Sequence, residues 1–140
     1  FKPKNQHNLK YSMPRIFKPV DISKEEKEIR KDYFDRHTPH VICKNTVKRG
    51  EKFVVKVKLG NDYPHPDEAD HFIQFVQLWN RETLLVESRF SPGTMGGNPG
   101  HVEVDFHIVP EMSMNLTAMA LCTNHGLWQS DNQEVKVVDS

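Results

Sequence analysis

The chain is expected to be all-β: an immunoglobulin-like antiparallel β-sandwich or barrel of about seven strands, carrying an N-terminal arm and a short helix. Two observations carry this. From Val41 onward apolar residues recur at every second position, the period of half-buried strands. Turn residues separate these runs, most densely from Ser91-Pro92-Gly93 through Gly96-Gly97 to Asn98-Pro99-Gly100. Short strands punctuated in this way are the pattern of a sandwich of immunoglobulin type.

Residues 1 to about 20 place Lys2, Lys4, Lys10, Arg15 and Lys18 among Pro3, Pro14 and Pro19 without a sustained period, which reads as an extended arm. Ser23-Lys24-Glu25-Glu26 fits a capping box, in which hydroxyl and carboxylate satisfy backbone donors at a helix start. A short polar helix to about Tyr33 follows, and its narrow stripe of Ile22, Ile29, Tyr33 and Phe34 needs something larger to dock on.

In the strand region, Phe53, Val55, Val57 and Leu59 alternate with Lys52, Val54, Lys56 and Lys58, so the lysine face meets water. His71, Ile73 and Phe75 share one face of the next strand, and Phe72, Val76 and Leu78 take the other. That strand is expected to be central and buried on both sides. Thr83 to Phe90 forms a further strand. Val102, Val104, Phe106 and Ile108 then alternate with His101, Glu103, Asp105 and His107 on a wet face. Met112, Met114, Leu116, Ala118, Ala120 and Cys122 fall on one side of another strand, and Glu134 to Val138 is the last.

At 140 residues the chain is one domain by length, and 36% hydrophobic residues suffice for an ordinary core. Nineteen basic and nineteen acidic side chains cancel, which argues against a nucleic-acid binder working by phosphate neutralisation. No apolar run approaches the ~18 residues of a membrane span, so no membrane association is expected. Cys43 and Cys122 are too few for a disulfide framework or a four-thiolate centre. A single Cys43–Cys122 bridge is the alternative, and it would remove the thiolate.

The chemistry concentrates in three stretches. Cys122-Thr123-Asn124-His125 lets a tight turn aim a thiolate and an imidazole at one point, and Gly126 lets the backbone turn without a clash. Leu127-Trp128 can then cover the point from water, and backbone donors of the turn can reach the sulfur. His65 is flanked by Pro64 and Pro66, which leave it few conformations to lose on binding. His71 follows six residues later. Several imidazoles with one thiolate point to a transition metal rather than calcium or magnesium, and so to redox chemistry.

These residues carry a resemblance. Cys122-x-x-His125-Gly126-Leu127-Trp128, Pro64-His65-Pro66 with His71 beyond, and His37-Thr38-Pro39 upstream look like the iron-binding domain of superoxide reductases, also called neelaredoxins or desulfoferrodoxins, over roughly residues 35 to 138. The resemblance implies a mononuclear iron on an immunoglobulin-like domain at 35–140, with 1–34 as an extension. The implied ligands are four equatorial imidazoles, His37, His65, His71 and His125, and the axial thiolate of Cys122. His40 is the alternative to His37, which is preferred for its x-Pro context. The implied reaction is one-electron reduction of superoxide to hydrogen peroxide, with the iron re-reduced by an external donor such as rubredoxin. Relatives are often homo-oligomers, dimers or tetramers, in the cytoplasm. The missing initiator Met leaves export after removal of a leader open.

The match departs at one place. Where the family has Glu-Lys before the first His, the Glu capping ferric iron and the Lys attracting superoxide, this chain has Asp35-Arg36. Asp is one methylene shorter, whereas Arg36 keeps a positive charge to which Lys48 could add. A non-catalytic metal-binding or electron-transfer module of the same fold, having lost the Glu-Lys pair, is therefore the competing reading. A zinc protein is a third.

Overall fold

The computed structural model describes residues 23–139, so the arm expected at 1 to about 20 lies outside the described residues. Two short helices come first, α1 (Lys24–Ile29) and α2 (Lys31–His37). The Ser23 hydroxyl accepts the Glu26 N–H at 3.1 Å, as the capping motif requires. Helix continues past Tyr33, its expected end, to His37. Tertiary packing explains the extension: Tyr33 and Phe34 both set their rings edge-on against Trp128 of the β domain.

Nine strands follow among the described residues: β1 (Pro39–Ile42), β2 (Thr46–Lys48), β3 (Phe53–Leu59), β4 (Ile73–Asn80), β5 (Thr83–Arg89), β6 (Glu103–Ile108), β7 (Met114–Cys122), β8 (Gly126–Gln129) and β9 (Gln133–Val138). The count exceeds about seven because β1, β2 and β8 are too short to show a period. One sheet has the order β1-β3-β6; the other has β2-β9-β7-β4-β5, with β8 also paired to β7. All pairings are antiparallel except β2 with β9, which run parallel. The fold is a mostly antiparallel β-sandwich.

The core lies between the sheets. Val55, Val57 and Leu59 of β3 and Phe106 of β6 face Val76 and Leu78 of β4, Leu116, Ala118 and Ala120 of β7, and Val135 of β9. On the wet side of β3, Lys56 pairs with Asp105 directly across at 3.1 Å. Two expectations need correction. β4 is central, between β5 and β7, but a register shift between Ile73 and Phe75 brings Ile73, Val76 and Leu78 together as its buried residues. Met112 precedes β7 instead of joining it and is 75% exposed, whereas Met114 is in the core.

This topology gathers the chemistry-bearing stretches. Ile73 at the start of β4 pairs with Cys122 at the end of β7, so His71 and Cys122 emerge at the same end of the sandwich. The last turn of α2 arrives there as well, docked on Trp128 of β8.

Candidate metal centre

Each metal-ligating candidate is set by local backbone bonds. His37 ends α2, 1% exposed, and its Nδ1–H donates to the Tyr33 carbonyl one turn back at 2.7 Å. His65 pairs through its own N–H and C=O with Gly100, at 2.9 and 3.0 Å, and its Nδ1–H donates to the Pro66 carbonyl at 2.7 Å. Carbonyls only accept, so the proton of both rings sits on Nδ1 and the Nε2 lone pairs are left for a metal. His71 exchanges both backbone bonds with Glu68. The turn after Cys122 is anchored to this segment, since the Thr123 hydroxyl accepts the Phe72 N–H at 3.1 Å. Gly126, at φ +82, supplies the left-handed conformation on which β8 begins.

One ligand atom each from His37, His65, His71 and Cys122 lies within 4.8 Å of all the others. Atoms sharing one ion at bonds of about 2.0–2.3 Å stand at most ~4–5 Å apart. His65 Nε2 is 3.2 Å from Cys122 Sγ, and His125 Nδ1 is 3.6 Å from the same sulfur. The four rings close a circuit, His37 to His65 to His71 to His125 and back, every centroid separation being 4.9 Å. Buried Nε2 atoms of His37 and His71 have no hydrogen-bond partner among the described residues. Unpartnered buried nitrogens are costly unless something else binds them, and four imidazoles with one thiol suit a transition metal.

The electrostatics agree with this. Burial lowers His37 to about 4 despite the opposing Tyr33 carbonyl bond, with His125, His71 and Arg36 lowering it further. Burial likewise lowers His65 to about 4. His71 also falls below the ordinary value, by burial first and then His125, against Glu68 and Asp70. Neutral imidazoles are the form that binds metal. Burial raises the Cys122 thiol, opposed by backbone bonds from Asn124 and His125 to the sulfur. Cys43 and Cys122 are both free, so the alternative bridge is not formed.

The remaining candidates divide. Arg36 is tied back to Asp32, 3.2 Å away, yet its charge reaches His37, His65 and His71. His40 lies on β1 with Nε2 3.3 Å from the Asn61 side-chain amide, outside the cluster. Asp35 does not turn to the metal position: its carboxylate accepts the N–H groups of Asn61, Asp62 and Tyr63. Lys48 is also misplaced. It pairs with Val138 beyond the Met114 end of β7, and the eight residue-to-residue steps from Met114 to Cys122 span roughly 26 Å of strand.

Sequence reasoning missed Tyr33, whose carbonyl orients His37 and whose ring edges onto His37 and His125. The i to i+4 spacing would have shown it had the helix been carried to His37. Trp128 covers the cluster as expected, stacked on His37 at 4.7 Å and 13°.

A two-sheet β domain that converges four imidazoles and a buried thiol at one end is a mononuclear metal protein of the non-haem type. Residues 23–131 match the Desulfoferrodoxin family model, and the chain belongs to that family, whose metal is non-haem iron. A solved superoxide reductase (neelaredoxin) from Ignicoccus hospitalis is 31% identical, with a TM-score of 0.61 covering 73% of this chain and 81% of that one. A superoxide reductase structure from Nanoarchaeum equitans is 26% identical, at TM-score 0.59 over 72% of this chain and 94% of the other. A Methanocaldococcus jannaschii protein provisionally described as a superoxide reductase is 30% identical over 106 residues, 73% of this chain and 84% of its own length.

Proposed function

We propose that this chain is a superoxide reductase, an oxidoreductase that reduces superoxide by one electron to hydrogen peroxide at a mononuclear iron held by His37, His65, His71, His125 and Cys122. The observation that carries the reading is the closed circuit of four imidazoles beside one buried thiol, with bare inward Nε2 atoms. When bound, iron supplies a one-electron couple, so that one electron and two protons convert superoxide to hydrogen peroxide. The chain does the rest. Tyr33 and Pro66 carbonyls fix the tautomers of His37 and His65 and make their Nε2 better donors. A Cys122 thiolate would be a strong electron donor, while the Asn124 and His125 amides moderate its charge.

Arg36 is the cation that draws superoxide inward. Its field already reaches three of the rings, and its i,i+4 tie to Asp32 is weak enough to give way. Lys48 takes no part, and Asp35 is not a metal cap. In this reading an external electron donor of rubredoxin type restores the reduced state of the centre after each turnover. The two free thiols support a reducing compartment and hence a cytoplasmic protein. Among the described residues no helix is long and apolar enough to cross a membrane. A homo-oligomer, dimer or tetramer, completes the reading.

Pulse radiolysis of the ferrous protein tests it. Superoxide should disappear in a second-order reaction approaching the ~10⁸–10⁹ M⁻¹s⁻¹ range of steered encounters. A rate no better than free ferrous ion would instead identify a metal-binding module without turnover.

A further inference from the structure

His65 is gripped from both sides by carboxylates that never touch its ring. Ahead of it, Asp35 of α2 accepts three backbone N–H groups, from Asn61 at 3.1 and 3.2 Å to its two oxygens, Asp62 at 3.0 Å and Tyr63 at 2.8 Å. Behind it, Asp67, 5% exposed, accepts three more, from Gly93 at 2.9 Å, Met95 at 2.8 Å and Gly97 at 3.0 Å. Successive inward N–H groups of a tight loop form an anion-binding nest, and here the anion is a side chain of the same molecule.

Both grips are close-packed. Gly60 opens the first loop at φ +75 and donates to the Thr38 carbonyl, and a Cβ there would meet the Tyr63 carbonyl oxygen at 2.8 Å. At the second, His65 and Gly100 exchange both backbone bonds, and a Cβ on Gly100 would meet Met95 Cε at 2.7 Å. Since the His65 Nδ1–H is committed to Pro66, neither carboxylate hydrogen-bonds the imidazole, and Asp67 reaches that ring only through its charge. Each acts by closing a loop.

We propose that Asp35 and Asp67 are paired positioning residues, which close the chain before and after Pro64-His65-Pro66 and so hold His65 Nε2 at the metal position before any metal arrives. This rests on the iron centre argued above. Asp35 also couples two candidate ligands: it joins the helix that ends in His37 to the loop that presents His65.

The test uses Asp35→Asn and Asp67→Asn, which keep the size but replace an acceptor oxygen with a donor. Both are loaded with ferrous iron without oxygen, and iron loss to an excess of chelator is followed alongside far-UV circular dichroism. Each should lose iron at least about tenfold faster with the fold retained. The thiolate-to-iron absorption of the oxidised protein should also shift, while Asp105→Asn, at the exposed pair with Lys56, behaves as the unsubstituted protein. Loss within twofold and an unmoved band in both variants would overturn the proposal.

A second measurement needs no variant to fold. In unsubstituted, metal-free protein the amides of Asn61, Asp62, Tyr63, Gly93, Met95 and Gly97 should be protected from hydrogen exchange, and exchange at unprotected rates overturns the clamp. Should the unsubstituted protein bind no iron at all, the metal reading fails by itself and the exchange result alone decides the clamp.

Discussion

His65 Nε2 stands 3.2 Å from Cys122 Sγ across 57 residues of sequence, both atoms buried at one end of the sandwich. The Nδ1–H of His65 is already spent on Pro66, so this approach brings a bare nitrogen lone pair up to the sulfur. Two donor atoms brought together in this way are stabilised when a cation joins them.

Cys122→Ser should abolish the thiolate-to-iron absorption of the oxidised protein and weaken iron binding by about tenfold or more. Absorption spectra after anaerobic loading and controlled oxidation check this. A full band in the serine variant would remove Cys122 from the centre.

His37 and His40 should separate cleanly. His37→Ala deletes one corner of the ring circuit and should weaken iron binding at least about tenfold. His40→Ala, on β1, should stay within twofold. Competition with a calibrated chelator reads both, and the reverse order would exchange their roles.

Arg36→Ala should slow the low-salt reaction with superoxide by roughly three- to tenfold and flatten its ionic-strength dependence, leaving iron in place. Lys48→Ala, at the far end of β7, should change neither. Pulse radiolysis across a salt series decides, and a larger effect at Lys48 would contradict the steering assignment.

Metal-free protein should lose stability on mild acidification. His37 and His65 titrate near 6.5 when unfolded and near 4 when folded, so between these values the unfolded chain holds more protons. Stability from these groups is full above about pH 6.5, falls as the pH drops to about 4, and levels off below. The total is on the order of 3 kcal/mol per histidine at most. Urea midpoints at pH 7.5 and 4.5 measure it, and a midpoint unchanged or higher at 4.5 would show that the rings are not buried neutral.

The strands that bury one face were legible because their period is local: β3 and β6 alternate as the sequence indicates. The register shift in β4 was not, since an extra residue in a pairing leaves no mark on hydrophobicity. The candidate ligands stood out because Cys122, His125 and the Pro-flanked His65 are chemically distinctive. The loop-closing role of Asp35 and Asp67 did not, because each finds its partners 26 to 30 residues away in backbone N–H groups, which no side-chain pattern announces. Lys48 was misjudged for a different reason: a positive charge on a strand does not show which end of the sheet it occupies.

X-ray absorption at the iron edge of ferrous protein, purified without oxygen and assayed for metal content, tests the five-ligand centre most directly. It should show one iron per chain, surrounded by nitrogen scatterers and a single sulfur. A shell without sulfur, or zinc in place of iron in protein made with ample iron, would contradict it.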